Sequence, residues 1–518
     1  MKRVAGLLMI GCLMAAADGD VWKQADERGE QSRRAFVACW RFCQGWLQFA
    51  DPATGLIPRN LGKDFYWNAR DSAADNYSFM VLSAFFTDKE LLNGRMKSIL
   101  VTEQRLCNRV DRLPDDWLFE TQAFRTPEYK MDELIFGASE YAKDGLLPLT
   151  EWMGPSAWSE RMLGLQDDIW KHGTIDTEVG KIPAQSHEVA GNLMQVCSRM
   201  YWMTGNEEYR KRSFQLAEYF LTYHLPTDTD KLQLDDHGCE VVGGLSEVYV
   251  IAAKKFPETH AKWRPAMHKM LDRILEVGRD ENGLLFSRVN PKTGAKLTDD
   301  MTDNWGYNYN AFLTVSMMDN DTAYKAAVEH ALKNILKSKD YKWEGGSSDG
   351  YADSLEGCIN LMNRIPMAEA AEWADYSADI MLGKQRDTGV IEGWHGDGNF
   401  ARTALMYALW NTQGAYLEPW RADLRLGAAL DETGAVCFSV RSEWPWKGRL
   451  RFDIPRHKEN LKMPVDYPRL NQFPEWFTVP ADGVYVSDSG DLAASALREG
   501  LPITVTKDAP AHLRLKRK

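Results

Sequence analysis

The segment His187-Glu-Val-Ala-Gly-Asn-Leu-Met194 starts with two polar residues and continues with small and apolar residues on several faces of a helix. A helix that is apolar on several faces is packed on all sides inside a protein. Six further segments open in the same way, starting near Asp75, Asp132, His237, Asp303, Asp349 and Asn399. The pattern predicts buried helices that each have a polar beginning.

Amphipathic segments alternate with these buried helices along the chain. They carry Lys, Arg and Glu on one side and aliphatic or aromatic residues on the other, near residues 21–48, 91–112, 156–172, 206–224, 258–278, 320–338 and 366–384. A ring of helical hairpins needs this alternation, with buried helices inside and amphipathic helices outside. The sequence therefore predicts a mainly α fold, an (α/α) toroid of six or seven hairpins over residues 18–422.

The pattern changes from about Arg425 to short runs of alternating polar and apolar residues, separated by Pro and Gly. Alternation with a period of two is typical of strands that are buried on one face. We therefore expect a small β-rich domain over residues 423–518. The chain beyond Leu497 ends in Lys516-Arg-Lys518, and we expect this tail to fray.

The first seventeen residues have the pattern of a secretory signal peptide. Lys2 and Arg3 precede an apolar stretch, and Ala15-Ala-Ala17 supplies the small residues of a cleavage site. Cleavage after Ala17 predicts a periplasmic or secreted protein, and lipid attachment at Cys12 is the alternative. Past Ala17 no stretch is long and apolar enough to insert into a membrane.

Composition excludes some functions. A net charge of -12 leaves no basic face for nucleic acid. There is no Cys-X-X-Cys pair and no other metal-ligand spacing, so the sequence predicts no metal and no cofactor. Nineteen Trp and nineteen Tyr make the chain rich in the flat rings that carbohydrate-binding proteins use against sugars. The sequence specifies no oligomeric state.

The buried helices of a toroid point the same way, so their N-terminal ends meet at one mouth of the ring. Each opening carries two or more polar residues, whereas an N-cap needs only one. The sequence therefore predicts one bowl formed by Asp75 with Asn76, His187 with Glu188, His237 with Glu240, Asp303 with Asn304 and Tyr307, Asp349 with Asp353, and Asp397 with Asn399.

The stretch from Gly389 to Arg402 has the composition of a sugar-binding rim. It holds four glycines, which let the backbone turn and approach a ligand closely. Trp394 offers a face for stacking on a sugar ring, His395 and Asp397 offer acid or base chemistry, and Arg402 offers a guanidinium. Trp305 is a second stacking candidate.

The alternating helices and polar openings resemble the (α/α)-toroid carbohydrate-active enzymes, that is, the six-hairpin glycosidases and related polysaccharide lyases. The segment Asn68-Ala-Arg-Asp-Ser-Ala-Ala-Asp-Asn-Tyr77, together with Trp394 to Arg402, is most similar to the β-glucuronidases of glycoside hydrolase family 154. Unsaturated glucuronyl hydrolases are more distantly similar. The resemblance covers roughly residues 21–420, and it implies removal of a terminal uronic acid from a glycan.

A glycoside hydrolase needs two carboxylates, one as general acid and one to activate water or attack the sugar. The candidates are Asp75, Glu188, Glu240, Asp353 and Asp397. Arg70 and Arg402 are the candidates for gripping a sugar carboxylate, because a guanidinium matches it in two hydrogen bonds. The other candidate substrate-binding residues are Asn76, His187, His237, Asp303, Asn304, Tyr307, Trp394 and His395.

Other functions also fit the sequence. A lyase on the same fold would use His187, His237, Asn304, Tyr307 and Arg402 to remove a proton next to a uronate carboxylate. A non-catalytic glycan-binding protein would keep the aromatic rim and leave the paired acids unexplained. A sugar isomerase or epimerase would use two histidines, but such enzymes usually act in the cytoplasm, contrary to the signal peptide.

Overall fold

The computed structural model describes residues 18–62 and 65–518, and it has two concentric rings of helices. The inner ring consists of Ser78–Thr87, Met131–Glu140, His187–Thr204, Cys239–Lys255, Trp305–Asp319, Ser348–Met362 and Asn399–Asn411. The outer ring consists of Asp18–Leu47, Lys97–Leu106, Ala157–His172, Glu207–Glu218, Pro257–Val277, Thr322–Asn334 and Ala368–Gly383. The described residues thus form seven hairpins. The prediction of a helical toroid with a small β domain is confirmed.

Several α-helices are flanked by short π-helical or 3-10 helical segments. The π-helical turns are Ala69–Tyr77, Leu92–Met96, Tyr141–Leu146, which leads into the α-helix Leu147–Met153, and Tyr219–Tyr223. Lys89–Leu91 is a single helical turn, and Ile335–Ser338 and Trp343–Gly346 are 3-10 turns. A π-helical turn changes the direction of the side chains that follow it, and such turns occur often at functional sites.

Burial separates the two kinds of helix as the sequence predicts. All residues from Phe400 to Asn411 are buried, whereas Glu207–Glu218 buries only one face. Neighbouring inner helices also approach closely through glycine. A Cβ on Gly306 would lie 2.5 Å from the Cα of Gly357. The inner ring is therefore a close-packed core.

The first outer helix closes the ring. Arg28 in Asp18–Leu47 donates from Nη1 to Asn411 Oδ1 at 2.9 Å in the last inner helix. The same helix packs on the β domain, where Arg441 Nη2 lies 2.6 Å from Asp26 Oδ2. The N-terminal helix therefore joins both ends of the toroid to the C-terminal domain.

The β domain contains two antiparallel sheets. The larger has the strand order Arg425–Leu430, Val436–Arg441, Ala511–Arg517, Val484–Ser487 and Gly490–Ala493. In its register Phe438 pairs with Ala428 on one side and Leu513 on the other. The smaller has the order Tyr416–Glu418, Trp446–Arg451 and Leu501–Val505, and the short helices Arg456–Glu459 and Ala494–Glu499 complete the domain.

The expectation of a frayed tail is wrong. The last strand, Ala511–Arg517, lies in the middle of the larger sheet, and Leu515 is fully buried. Leucines alternate with basic residues here, so the tail itself has the period of a strand.

Short strands connect the helices around the mouth of the ring. Tyr66–Trp67, Trp117–Leu118 and Ala123–Phe124 form one small sheet. Three two-stranded pairs follow: Asn108–Val110 with Leu113–Pro114, Ile175–Thr177 with Gly180–Ile182, and Leu232–Gln233 with Arg288–Val289.

A segment of the β domain enters the ring from the end opposite the polar openings. We call residues 466–472 the plug. Thr314 Oγ1 donates to the carbonyl of Pro468 at 3.0 Å, and Asn360 Nδ2 donates to the carbonyl of Arg469 at 2.8 Å. Both donors lie deep in inner helices, so the plug occupies the axis of the toroid.

Among the described residues, no helix is long and apolar enough to cross a bilayer. The predicted signal peptide, residues 1–17, and the alternative lipid attachment at Cys12 lie outside the described residues.

Candidate functional site

A cavity of about 490 Å³ opens at the mouth of the ring where the inner helices begin. All seven inner segments contribute to its wall, for example through Asp75, Glu188 and Asn399. Leu470 of the plug also lines it. The N-terminal ends of the inner helices therefore converge, as a toroid requires, and they form a bowl that the plug closes at one end.

The bowl is strongly acidic. The carboxylates among its described lining residues are Asp71, Asp75, Glu140, Asp144, Glu188, Asp236, Glu240, Glu344, Asp349 and Asp353. The basic groups there are Arg59, Arg70, Lys143 and Arg402, with His237 and His395. Acids crowded in a partly dry cavity repel one another, and this repulsion favours protonated forms.

Asp75 is a proton-holding group on this wall. Burial raises its pKa well above the usual value, and the negative charges of Asp144 and Asp71 add to the effect. The side chain keeps 13% of its surface exposed. A protonated carboxyl that faces a cavity can donate its proton to a bound molecule.

Asp71, one helical turn before Asp75, behaves in the opposite way. Burial alone would raise its pKa, but His395, the Asn68 amide and Arg59 together lower it. Asn68 Nδ2 donates to Asp71 Oδ2 at 2.5 Å, and His395 Nε2 lies 3.5 Å from Asp71 Oδ1. One potential metal-ligand atom from each of Asp71, Asp75 and His395 lies within 4.8 Å of the other two, a spacing that a metal ion could bridge.

Asp144 is surrounded by donors. Lys143 Nζ lies 2.7 Å from Asp144 Oδ1, and Asn471 Nδ2 of the plug donates to the same oxygen at 2.7 Å. Lys143 is buried, yet its pKa is raised, because Asp144, Glu240 and Glu140 outweigh the effect of burial. An ammonium and an amide thus both donate to Oδ1 of Asp144.

Arg402 lies at the centre of a buried ion-pair network. Its Nη2 donates to Asp353 Oδ1 at 2.5 Å and to the Tyr307 hydroxyl at 3.0 Å, and its Nε lies 2.6 Å from Glu356 Oε2. Nη1 donates to Asn399 Oδ1 at 2.8 Å and to Asn471 Oδ1 at 3.1 Å. Both Nη atoms therefore donate hydrogen bonds within the protein and Nε is in ion-pair contact with Glu356, which argues against the predicted role of Arg402 in gripping a sugar carboxylate.

Twelve of the residues selected from the sequence line the bowl: Asp75, Glu188, Glu240, Asp349, Asp353, Arg70, His237, Tyr307, Trp394, His395, Asn399 and Arg402. Trp394 is 80% exposed at the rim, where its face is available for stacking. Trp305, in contrast, is fully buried in the inner ring. The catalytic roles assigned to these residues stay predictions.

Five selected residues lie off the wall: Asn76, His187, Asp303, Asn304 and Asp397. The His187 ring packs 5.7 Å from Phe220 on the outer side of its helix. Asn304 Nδ2 donates to Asp353 Oδ2 at 2.9 Å, and Asp397 accepts a hydrogen bond from the Phe400 amide at 3.3 Å. Asp303 accepts from the Asn304 amide at 3.1 Å, and Asn76 is buried under Gly396. The helices that carry or directly follow these residues begin at the bowl, but the five side chains lie behind its wall and do not face the cavity.

Sequence reasoning missed Arg59, Asp71, Glu140, Lys143, Asp144, Asp236 and Glu344. Glu140, Lys143 and Asp144 lie well inside a helix, where the π-helical turn Tyr141–Leu146 brings them to the wall. The signal in the sequence is the charged pair Lys143-Asp144, which stands between Tyr141-Ala142 and the apolar run that begins at Leu146.

The acidic bowl should make the protein more stable at mildly acidic pH than at pH 8. The pKa values of Asp75, Glu140, Asp236, Glu240 and Asp349 are raised, chiefly by burial, and that of Asp353 rises to about 6 against the lowering effect of Arg402. The folded state thus holds protons that the unfolded state has released above about pH 4. Stability from these groups is complete below pH 4 and is lost as pH rises through the folded pKa values.

We therefore expect the free energy of unfolding to fall between about pH 5 and pH 8, measured by urea titration at each pH. Asp353→Asn should make this slope shallower, because it removes one of the titrating groups. Burial lowers the pKa of His187, so this residue makes stability rise with pH. It is one group against the several carboxyl groups that make stability fall. A flat or rising profile would contradict the assignment.

No protein-family model matches this sequence, and no curated protein matches it either. Several solved structures are similar. A cellobiose 2-epimerase from Spirochaeta thermophila is 11% identical, with 75% of this chain and 97% of that chain covered and a TM-score of 0.43. The GH76A α-1,6-mannanase of a Salegentibacter species is 12% identical, with 74% and 98% covered and a TM-score of 0.39.

A possible member of GH105 family from Salmonella enterica is 12% identical, with 53% of this chain and 81% of that chain covered and a TM-score of 0.37. Likeness at this level carries neither substrate nor mechanism over to this chain. The predicted resemblance to the β-glucuronidases of family 154 stays a prediction.

Proposed function

We propose that this chain is a glycoside hydrolase in which Asp75 is the general acid and Asp144 is its ionised partner. The observation that carries the proposal is the contrast between these two neighbours on one cavity wall. Burial and the charge of Asp144 raise the pKa of Asp75, which favours its protonated form. Asp144 accepts from Lys143 and Asn471. Two carboxyl groups with different ionisation are what glycoside hydrolysis requires.

In the proposed reaction Asp75 gives its proton to the glycosidic oxygen as the bond to the anomeric carbon breaks. Asp144 either takes a proton from the attacking water or attacks the anomeric carbon itself. The two routes differ in product stereochemistry, which nuclear magnetic resonance of the first-formed sugar reads directly. Trp394, exposed at the rim, is proposed to stack on a sugar ring outside the bowl.

A uronate substrate would need a guanidinium with N–H groups free to bind its carboxylate in two hydrogen bonds. Arg402 is engaged, so we propose Arg70 for this role. Its side chain is 35% exposed, and its nearest acid oxygens are at 3.4 Å in Glu133 and 3.9 Å in Asp71. The expected substrate is a glucuronate-type terminal sugar whose carboxylate lies at the Arg70 edge of the bowl.

Two contacts weigh against the lyase alternative. The Tyr307 hydroxyl donates to Glu356 Oε2 at 2.7 Å, so its proton is directed away from a substrate. Glu188 contacts His237 and raises its pKa, which favours the protonated form and makes this histidine a weaker candidate for the base. The residue types that elimination needs are thus present, but Tyr307 and His237 do not have the hydrogen bonds and protonation that a lyase would use.

Product analysis separates these functions. We expect aryl β-glucuronides and uronate-containing polysaccharides to release reducing sugar without the ultraviolet absorbance of an unsaturated uronate. Arg70→Met should lower kcat/KM for the glucuronide at least tenfold more than for the matching glucoside, because only the glucuronide loses a charged contact. Arg95→Met, on the outside of the toroid, is the matched control. A rise in unsaturated product would support the lyase, and equal losses on both glycosides would assign the enzyme to neutral glycans.

A further inference from the structure

The floor of the bowl comes from the C-terminal domain. The plug is anchored in the inner ring through Arg199, whose Nη2 donates to the Leu470 carbonyl at 2.9 Å. The Tyr467 hydroxyl donates to Glu247 Oε2 at 2.9 Å, and Arg364 Nη2 donates to Asp466 Oδ2 at 2.7 Å. These partners are buried or half-buried, so the position of residue 471 is fixed by the core of the toroid.

Asn471 makes three polar contacts at the tip of the plug. Its side-chain Nδ2 donates to Asp144 Oδ1 at 2.7 Å, and its Oδ1 accepts from Arg402 Nη1 at 3.1 Å. Its backbone N–H donates to Glu356 Oε1 at 2.8 Å. The cation on one side and the carboxylate on the other leave only one favourable orientation of the amide.

Asn471 therefore connects the two halves of the bowl. On one side is Asp144, next to the proton-holding Asp75. On the other side is Arg402 with Asp353 and Glu356. Asn471 is 1% exposed and does not line the cavity, so it acts on a substrate only through these neighbours.

We infer that Asn471 is a positioning residue of the active site, which orients the Asp144 carboxyl group from within the C-terminal domain. The inference rests on the proposed function. It makes the β domain part of the catalytic unit, and not an accessory module. The substitution Asn471→Asp would replace the donor to Asp144 with a like charge, and a like charge favours the protonated form of a carboxyl group.

Two substitutions test this without disturbing the backbone. Asn471 has a positive φ of 57°, which glycine adopts without strain, so Asn471→Gly removes only the side chain. Asn471→Asp keeps the shape and the contact to Arg402. Asn460→Asp is the matched control, because Asn460 of the same domain donates to the Glu151 carbonyl at 2.9 Å, away from the bowl.

With an aryl glycoside, we expect Asn471→Asp to lower kcat at least tenfold and to move the acidic limb of the kcat profile up by about one pH unit. KM should change less than threefold, and Asn460→Asp should leave the limb in place. A lower kcat with an unmoved limb would show a merely structural role and overturn the inference.

A second measurement needs no substrate. The difference in unfolding free energy between the native protein and Asn471→Gly should grow as pH rises from about 4 to 7, because an amide donor stabilises a carboxylate more than a neutral carboxyl group. A difference that is independent of pH would overturn the inference. Absence of hydrolysis by the native protein would instead refute the proposed function, so the two failures are distinguishable.

Discussion

Asp75→Asn should lower kcat on glycosides with poor leaving groups by about 10²- to 10⁴-fold, the usual contribution of a general acid. The amide has the size of the acid but no proton to give. On an aryl glycoside with an acidic phenol as leaving group, the loss should be much smaller, because that group departs without protonation. Steady-state kinetics on the two substrates measure the contrast.

The same variant should not be less stable than the native protein at pH 7. Burial and neighbouring acids raise the pKa of Asp75, so ionising it costs stability at high pH, and a neutral amide avoids that cost. Asp132→Asn makes the same chemical change at an exposed inner-helix opening and should leave turnover unchanged. Equal losses on both kinds of leaving group would remove Asp75 from the role of acid.

Arg199→Met should destabilise the protein by about 3–5 kcal/mol, the usual effect of breaking a buried ion pair. Arg199 is fully buried and binds Glu247 through two nitrogens, at 2.7 Å from Nη2 and 3.0 Å from Nε. The substitution leaves the Glu247 carboxylate buried without its cation. Urea unfolding followed by circular dichroism would measure the loss.

Lys269→Met is the control for this prediction. Its partner Asp228 is 2.9 Å away, but both side chains are more than half exposed, so the expected loss is below about 1 kcal/mol. The double variant Arg199→Met/Glu247→Leu should recover part of the stability, because it removes both charges of the pair. The recovery should be incomplete, because the Leu470 carbonyl and the Tyr467 hydroxyl lose their hydrogen-bond partners. A loss no larger than that of the control would mean that the pair does not hold the ring together.

The sequence predicts the ring well because the signal for it is local. Helix His187–Thr204 begins at the polar pair seen in the sequence, and Asn399–Asn411 begins where the glycine-rich loop ends. Helical period, burial on all faces and polar openings are all read over fewer than twenty residues. The direction of the inner helices then determines where the bowl lies.

The pairing within the bowl depends on the tertiary fold and is not visible in the sequence. Arg402 is a sequence candidate for gripping a sugar carboxylate, yet it pairs with Asp353 and Glu356 from another helix. Asn471 lies beyond the helical region and reaches Asp144 from 327 positions away. Such contacts depend on ring closure, and no local pattern encodes them.

Ring closure also has a kinetic consequence. Each hairpin pairs segments that are close in the chain, but the contact between Arg28 and Asn411 joins residues 383 positions apart. Closing so long a loop adds little to the thermodynamic cost, about 0.6 kcal/mol for each doubling of length. It does slow folding, because contacts distant in sequence form late. We expect successive hairpins to assemble first, and the N-terminal helix to seat against the last hairpin in the slowest step.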